Sequence, residues 1–228
     1  MFDKIECVTL DLDDTLWPIE PVIQNAEYKL YEWFQKHYPH VVEKYSIQEI
    51  EAKRNAMSCA RTDIAHNVTQ LRFCLLQEIA DEFGYSEQFA LDGLALFRHY
   101  RNKVQLFEDS EPMLAKLKKH YVVGAITNGN AQLEKIEINH YFDFVVSAAE
   151  AGVSKPDPKI FLDASVKSET EISKVLHIGD CPKNDVNAAM NAGCKAIWFN
   201  KKRQSWPGGQ NPHAVIHSLS DLEKILNI

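Results

Sequence analysis

The stretch VTLDLDDTLWP, residues 8–18, decides how the rest of the chain is read. Strand-forming residues run into three carboxylates, Asp11, Asp13 and Asp14. At the end of a buried strand such charges repel one another and lose hydration, so they need a counter-charge. A bound cation or a phosphate-transfer site supplies one.

Working outward, Lys4 to Leu10 reads as a short buried strand. From Pro21 the apolar period becomes helical, with Val22, Ile23, Ala26, Leu30, Trp33 and Phe34 on one face. Ser46 begins a second helix towards Ala60, and Asn67 to Phe83 forms a third, ended by Gly84. Ser86 caps a fourth that runs towards Tyr100. Residues 19–103 are thus helical, with no strand among them. After Ser110 the pattern alternates. Helices are expected over Pro112–Lys119, Gln132–Asn139, Lys159–Val166 and Asn184–Ala192, with a terminal helix opening at Ser220 and Asp221. Strands are expected over Val122–Thr127, Phe144–Ser147, Val175–Ile178 and Ala196–Phe199, and WPGGQNP, Trp206 to Pro212, as a loop.

Strands alternating with helices imply an α/β fold, a Rossmann-like parallel sheet wrapped by helices. Its core is residues 1–18 and 104–228, and the helical domain 19–103 is inserted after the first strand. Working residues of such sheets gather beyond the carboxyl ends of the strands. Those ends carry Asp11 and Asp13, Thr127 and Asn128, and Asp180.

The 228-residue chain has a formal net charge of −7, which disfavours nucleic acid as a partner. Cys7, Cys59, Cys74, Cys181 and Cys194 are odd in number and show no C-x-x-C spacing, so reduced thiols are expected. MFDKIECVTL is not a secretory leader, and no apolar run approaches the roughly 20 residues that span a bilayer. A cytoplasmic protein without a membrane partner is expected, as a monomer or a homodimer.

Asp11 and Asp180 are hard oxygen donors that, with a backbone carbonyl and waters, suit Mg²⁺. Thr127 and Asn128 offer neutral donors to phosphate oxygens, and Lys155 in VSKPDP brings an ammonium. A carboxylate nucleophile, a second carboxyl for proton transfer, a divalent cation and a lysine together describe phosphoryl transfer.

These residues carry a resemblance. Asp11-Leu12-Asp13-Asp14-Thr15 resembles the DxDx[TV] motif of the haloacid dehalogenase superfamily. Ile126-Thr127-Asn128-Gly129, Lys155-Pro156-Asp157-Pro158, and His177-Ile178-Gly179-Asp180 with Asn184-Asp185 resemble its later motifs, in the same order. The resemblance implies that Asp11 attacks phosphorus and that Asp13 protonates the leaving oxygen and then deprotonates water. It implies Mg²⁺ on Asp11, the Asp13 backbone carbonyl and Asp180, with Asp185 orienting metal-bound water. Thr127 and Asn128 would bind the phosphoryl group, Lys155 would hold Asp11 and the phosphate oxygens, and Thr15 would fix Asp13 by a hydrogen bond. The dehalogenase branch lacks a carboxylate at the position of Asp13, so phosphate esters are expected as substrates.

An insertion between the first two motifs is the subfamily I arrangement, a helical cap that closes over small substrates. DLDDTL, HNVTQLRF (His66 to Phe73), AITNGNAQ and LHIGD are similar to the bacterial flavin mononucleotide phosphatases, which also act on 5-amino-6-(5-phosphoribitylamino)uracil. In the cap, Arg72 is a candidate substrate contact or an interhelix ion pair, and His66 a weaker specificity candidate. Asp14 reads as a turn residue, Trp17 as a site-mouth or core residue, and Cys181 as a packing residue. A sugar-phosphate mutase on the same core remains an alternative. A phospho-accepting receiver module has no use for the insertion.

Overall fold

The computed structural model describes residues 2 and 4–228. The chain forms two compact units, Met1–Pro18 with Gln105–Ile228, and Ile19–Val104. In the first, six strands are described: β1 (Cys7–Leu10), β2 (Val122–Thr127), β3 (Phe144–Ser147), β4 (Val175–Gly179), β5 (Lys195–Phe199) and β6 (Ala214–Ile216). All pairings are parallel, in the order β3-β2-β1-β4-β5-β6. The expected fold class is the observed one.

β1 lies inside the sheet, so its four residues are all buried, as a strand covered on both faces requires. Leu10 stands opposite Ala125 of β2 and Ile178 of β4. The sheet order reverses between β1 and β4, the place where an open α/β sheet leaves a crevice at its carboxyl edge. β1 is shorter than the Lys4–Leu10 expected, because the chain turns before it and Ile5 N–H donates to Phe2 O. β6 was not anticipated: AVI is too short to show a period. Gly124 in β2 lets the Phe144 ring lie across the sheet, since a Cβ there would fall 2.2 Å from that ring.

The second unit is five helices: α1 (Ile19–His37), α2 (Pro39–Lys44), α3 (Ile47–Ala60), α4 (Val68–Phe83) and α5 (Glu87–Arg101). Leu30, Phe34, Leu71, Leu75, Leu76, Ile79, Phe89 and Phe97 form much of its core. Ser46 and Glu49 close a capping box on α3, and the Asn67 carboxamide accepts from Gln70 N–H to cap α4. Gly84 ends α4 in the left-handed conformation. Ser86 holds the N-cap position of α5, but its hydroxyl makes no cap bond. No helix of the described residues is long and apolar enough to cross a membrane. The five cysteines are free thiols.

Candidate active site

Asp11 is the first residue past β1, and its N–H still donates to Ile178 O at 2.9 Å. The chain then closes a tight loop. Leu12 O accepts from Thr15 and Leu16 N–H, and Asp14, at φ 59°, donates its N–H to Trp17 O at 2.7 Å. Asp14 is thus the turn residue expected, since a short Asp side chain tolerates the left-handed region. Two contacts differ from expectation. Thr15 Oγ1 donates to Asp11 Oδ2, at a long 3.5 Å, where a bond to Asp13 was expected. Asp13 Oδ1 instead accepts from the indole N–H of Trp17 at 2.9 Å, and Trp17 is fully buried.

Lys155 meets this loop from far along the chain. Its ammonium donates to Asp11 Oδ1 at 2.5 Å, Asp185 Oδ1 at 2.7 Å and Ile126 O at 2.8 Å. Three acceptors match the three N–H groups of an ammonium. Asn128, expected to bind the phosphoryl group with Thr127, has its side-chain amide engaged with Lys155. Its Nδ2 donates to Lys155 O at 2.9 Å and its Oδ1 accepts from Lys155 N–H at 2.8 Å, a two-point clamp on the lysine backbone. Thr127, buried at the end of β2, accepts from Gly129 N–H at 2.9 Å.

Asp185 sits in a π-helical turn, Pro182–Asn187. Its Oδ2 accepts from Cys181 N–H at 2.9 Å, and its Oδ1 lies 3.2 Å from His177 Nε2. A carboxylate only accepts, so Nε2 carries a ring proton, and Thr9 Oγ1 lies 2.9 Å from Nδ1 and 3.4 Å from Leu176 O. Thr9 and His177 face each other in the β1–β4 register. Gly179 makes the close approach possible, since a Cβ there would fall 2.4 Å from Asp185 Cγ.

Electrostatics show what this cluster lacks. Burial lifts Asp11 well above the usual carboxylate range; the Lys155 ammonium opposes this and the Asp185 charge adds to it. Burial acts on Asp185 in the same direction, but Lys155 and His177 outweigh it and hold Asp185 low. Two carboxylates compete for one ammonium, and Asp185 has the better set of donors. Burial, with Asp185 and Asp14 nearby, raises Asp180 to about 7. Three carboxylates thus gather where one ammonium, that of Lys155, is bonded to two of them.

Asp11, Asp180 and Asp185 each offer an oxygen within 4.8 Å of the others. Ligand oxygens around an octahedral Mg²⁺ sit about 2.1 Å from the metal, so opposite pairs are separated by about 4.2 Å. The donor set fits a hard divalent cation. It brings Asp185 into the group, beside the expected Asp11 and Asp180. A cleft of ≈ 490 Å³, lined by Asp14, Pro18, Phe107, Asp180, Phe199 and Lys201 among others, opens beside Asp180.

The two candidates in the helical unit stand differently. Arg72 is buried; its guanidinium donates to both carboxylate oxygens of Glu27 at 2.7 and 3.1 Å and stacks 3.4 Å from the centre of the Phe97 ring. This corrects its reading as a specificity residue in favour of the interhelix ion pair, because the planar fork is already engaged. His66 lies half-buried in the turn before α4.

The sequence reading missed Trp17 as a partner of Asp13, and it missed the Thr9–His177 pair. The second had a signal: one polar residue sits inside each apolar run, Thr9 in CVTL and His177 in VLHIG.

Comparison with known proteins completes the picture. The profile of the haloacid dehalogenase-like hydrolases matches residues 5–193. The 5-amino-6-(5-phospho-D-ribitylamino)uracil phosphatase YigB of Escherichia coli (strain K12) is 30% identical over 231 residues, covering 98% of this chain and 97% of that protein. The N-acylneuraminate-9-phosphatase of Mus musculus is 26% identical over 234 residues, covering 98% and 94%. Among solved structures, a 2-haloacid dehalogenase from Pseudomonas syringae pv. tomato DC3000 superposes with a TM-score of 0.92 at 34% identity, covering 98% of each chain.

Proposed function

The chain belongs to the haloacid dehalogenase-like hydrolases and is a phosphoric monoester hydrolase among them; from that premise we propose that it hydrolyses a small-molecule phosphate ester through an aspartyl phosphate on Asp11, with Mg²⁺ bound. The observation that carries the reading is Lys155, whose one ammonium is shared between Asp11 and Asp185 while Asp13 stands two residues from the nucleophile.

In the first step an Asp11 oxygen attacks phosphorus. The P–O bond to the leaving group breaks, and the departing oxygen takes a proton from Asp13. In the second, Asp13 as carboxylate removes a proton from water while the water oxygen attacks phosphorus. Inorganic phosphate leaves and the Asp11 carboxylate is restored. Lys155 fixes Asp11 and offsets the charge of the phosphoryl oxygens, and Asn128 holds the Lys155 backbone in place. Thr127 binds a phosphoryl oxygen. Asp11, Asp180 and Asp185, with the Asp13 carbonyl, would hold Mg²⁺, which when bound would neutralise the carboxylates and polarise the phosphoryl group.

The likeness to a 2-haloacid dehalogenase raises a second reading. Asp13 argues against it. A halide leaves without a proton, so a carboxyl group aimed at the leaving atom has no part in breaking a carbon–halogen bond. An alkoxide needs that proton. In this reading residues 19–103 would serve as the helical cap, and the likeness to YigB supports 5-amino-6-(5-phospho-D-ribitylamino)uracil or a related phosphate as substrate. The cleft beside Asp180 is of a size that takes small ligands.

The test is product release from flavin mononucleotide, 5-amino-6-(5-phosphoribitylamino)uracil, sugar phosphates, nucleotides, p-nitrophenyl phosphate and 2-chloropropionate, with Mg²⁺ and with EDTA. Mg²⁺-dependent phosphate release that Asp11→Asn abolishes is expected. Chloride release without phosphate release would overturn the reading.

A further inference from the structure

We propose that His177 is a positioning residue for the cation site: its ring N–H ties the Asp185 carboxylate to strand β4, and so keeps Asp185 in register with Asp11 and Asp180. The proposal rests on the place of Asp185 in the cation site given above.

Side chains alternate along a strand, so His177 and Gly179 share one face of β4, and Thr9 stands opposite His177 on β1. The Asp185 carboxylate lies over Gly179, where a Cβ would fall 2.4 Å from Asp185 Cγ. That brings Asp185 Oδ1 to 3.2 Å from His177 Nε2. Whether the ring carries one proton or two, Nε2 is the donor in this contact, because a carboxylate only accepts.

The donor is held on two further sides. His177 is fully buried, and a buried imidazole is costly unless its nitrogens are bonded. Nδ1 lies 2.9 Å from Thr9 Oγ1. The fully buried Phe161 ring packs edge-on against the imidazole, with centroids 5.1 Å apart and planes at 82°. The ring is thus fixed at Nδ1 and by Phe161, and Nε2 is aimed at Asp185.

Asp185 accepts from Lys155 Nζ, His177 Nε2 and Cys181 N–H. These donors differ in what carries them. Cys181 N-caps the π-helical turn that holds Asp185, so it moves with that turn. Lys155 comes from a loop. His177 alone of the three lies on a strand of the sheet. That strand ends at Gly179, so Asp180 follows it directly, and its Ile178 is matched to Leu10, the residue before Asp11. Through His177 the three carboxylates share one frame.

Two variants separate the donor from the packing. His177→Phe keeps a flat ring and has no N–H. His177→Gln carries an amide N–H at about the reach of Nε2. Mg²⁺ affinity of the substrate-free protein is measured by isothermal titration calorimetry at pH 8, beside wild type and Asp185→Asn, with folding checked by circular dichroism. Partners that orient metal ligands are worth about tenfold to a hundredfold in affinity, and His177→Phe is expected to lose that much, while His177→Gln stays within about threefold of wild type. Equal losses in the two variants would overturn the proposal, since packing alone would then account for them.

The ring nitrogens of the wild type are also read by ¹⁵N NMR in EDTA, which decides the matter if His177→Phe does not fold. A proton on Nε2 is expected, and a proton on Nδ1 alone would overturn the proposal. If Asp185→Asn binds Mg²⁺ as wild type does, Asp185 leaves the cation site and the proposal falls with it. If Asp185→Asn weakens binding and His177→Phe does not, the proposal alone fails.

Discussion

Replacing Lys155 by Met keeps most of the aliphatic stem and removes the charge. In the wild type the ammonium is almost wholly buried, with side-chain exposures of 3% for Lys155, 9% for Asp11 and 2% for Asp185. Removing one partner of a buried ion pair costs about 3–5 kcal/mol, because the other charge is left without compensation. Here two carboxylates lose one cation. Asp11 already sits high and can take up a proton, so the cost falls mainly on Asp185, which Lys155 and His177 hold low against its burial. The lower end of the range, about 3 kcal/mol, is expected in metal-free buffer at pH 8.

The sign with pH follows from Asp185. Its depressed folded value contributes stability above the unfolded pKa of about 4, and that contribution is lost as pH falls through the folded value. In Lys155→Met the contribution is absent. The wild-type advantage is therefore greatest at pH 7–8 and narrows towards pH 4, where the freed carboxylates of the variant are protonated. Urea denaturation in EDTA at pH 8, 6 and 4.5 measures it. Adding Asp185→Asn to Lys155→Met removes the stranded charge and restores more than half of the loss. A gap below about 1 kcal/mol at pH 8, or one constant with pH, would refute the reasoning.

Two other outcomes follow from the same geometry. Asp180 at about 7 holds a proton in acid and must release it to coordinate a cation. With Asp11 also raised, Mg²⁺ affinity therefore falls as pH drops below 7 by at least about tenfold per unit, with proton release on binding, which isothermal titration calorimetry checks; equal affinity at pH 5.5 and pH 8 would contradict it. Arg72→Met leaves Glu27 its second partner, Arg54 at 2.7 Å, so a loss of about 1–3 kcal/mol in urea denaturation is expected with KM unchanged. A raised KM at unchanged stability would return Arg72 to the substrate.

The sheet was legible because its central strands are apolar and end in polar residues. Asp11, Thr127 and Asp180 lie where strand-end reasoning puts them. β6 escaped because three residues carry no period, and the strand was read from Lys4 because apolar and charged residues there continue the pattern of β1, whereas the backbone bonds to the neighbouring strands begin only at Glu6, which donates to Lys174 O and accepts from Val122 N–H. Within the site, the residues with charge were readable and the ones that aim them were not. Asn128 looks like a phosphate donor, and only the folded chain shows its amide closed on Lys155. Trp17 lies four residues after Asp13 with nothing in its neighbours to announce an N–H bond. Arg72 resembled an anion contact until Glu27, far away in sequence, was placed beside it.

The central position of β1 makes the enzyme's chemistry a gauge of strand alignment. Leu10 is matched to Ala125 on one side and Ile178 on the other, and Asp11 continues from it. A slip of one residue moves the chain by about 3.3 Å and turns each side chain to the opposite face. It would carry the Asp11 carboxylate away from Lys155 and bring Leu12 or Leu10 in its place. Buried residues such as Cys7 and Val8 touch no substrate, yet they keep the nucleophile in line. Substitutions there would be felt first as lost turnover, in a protein that still melts as one piece.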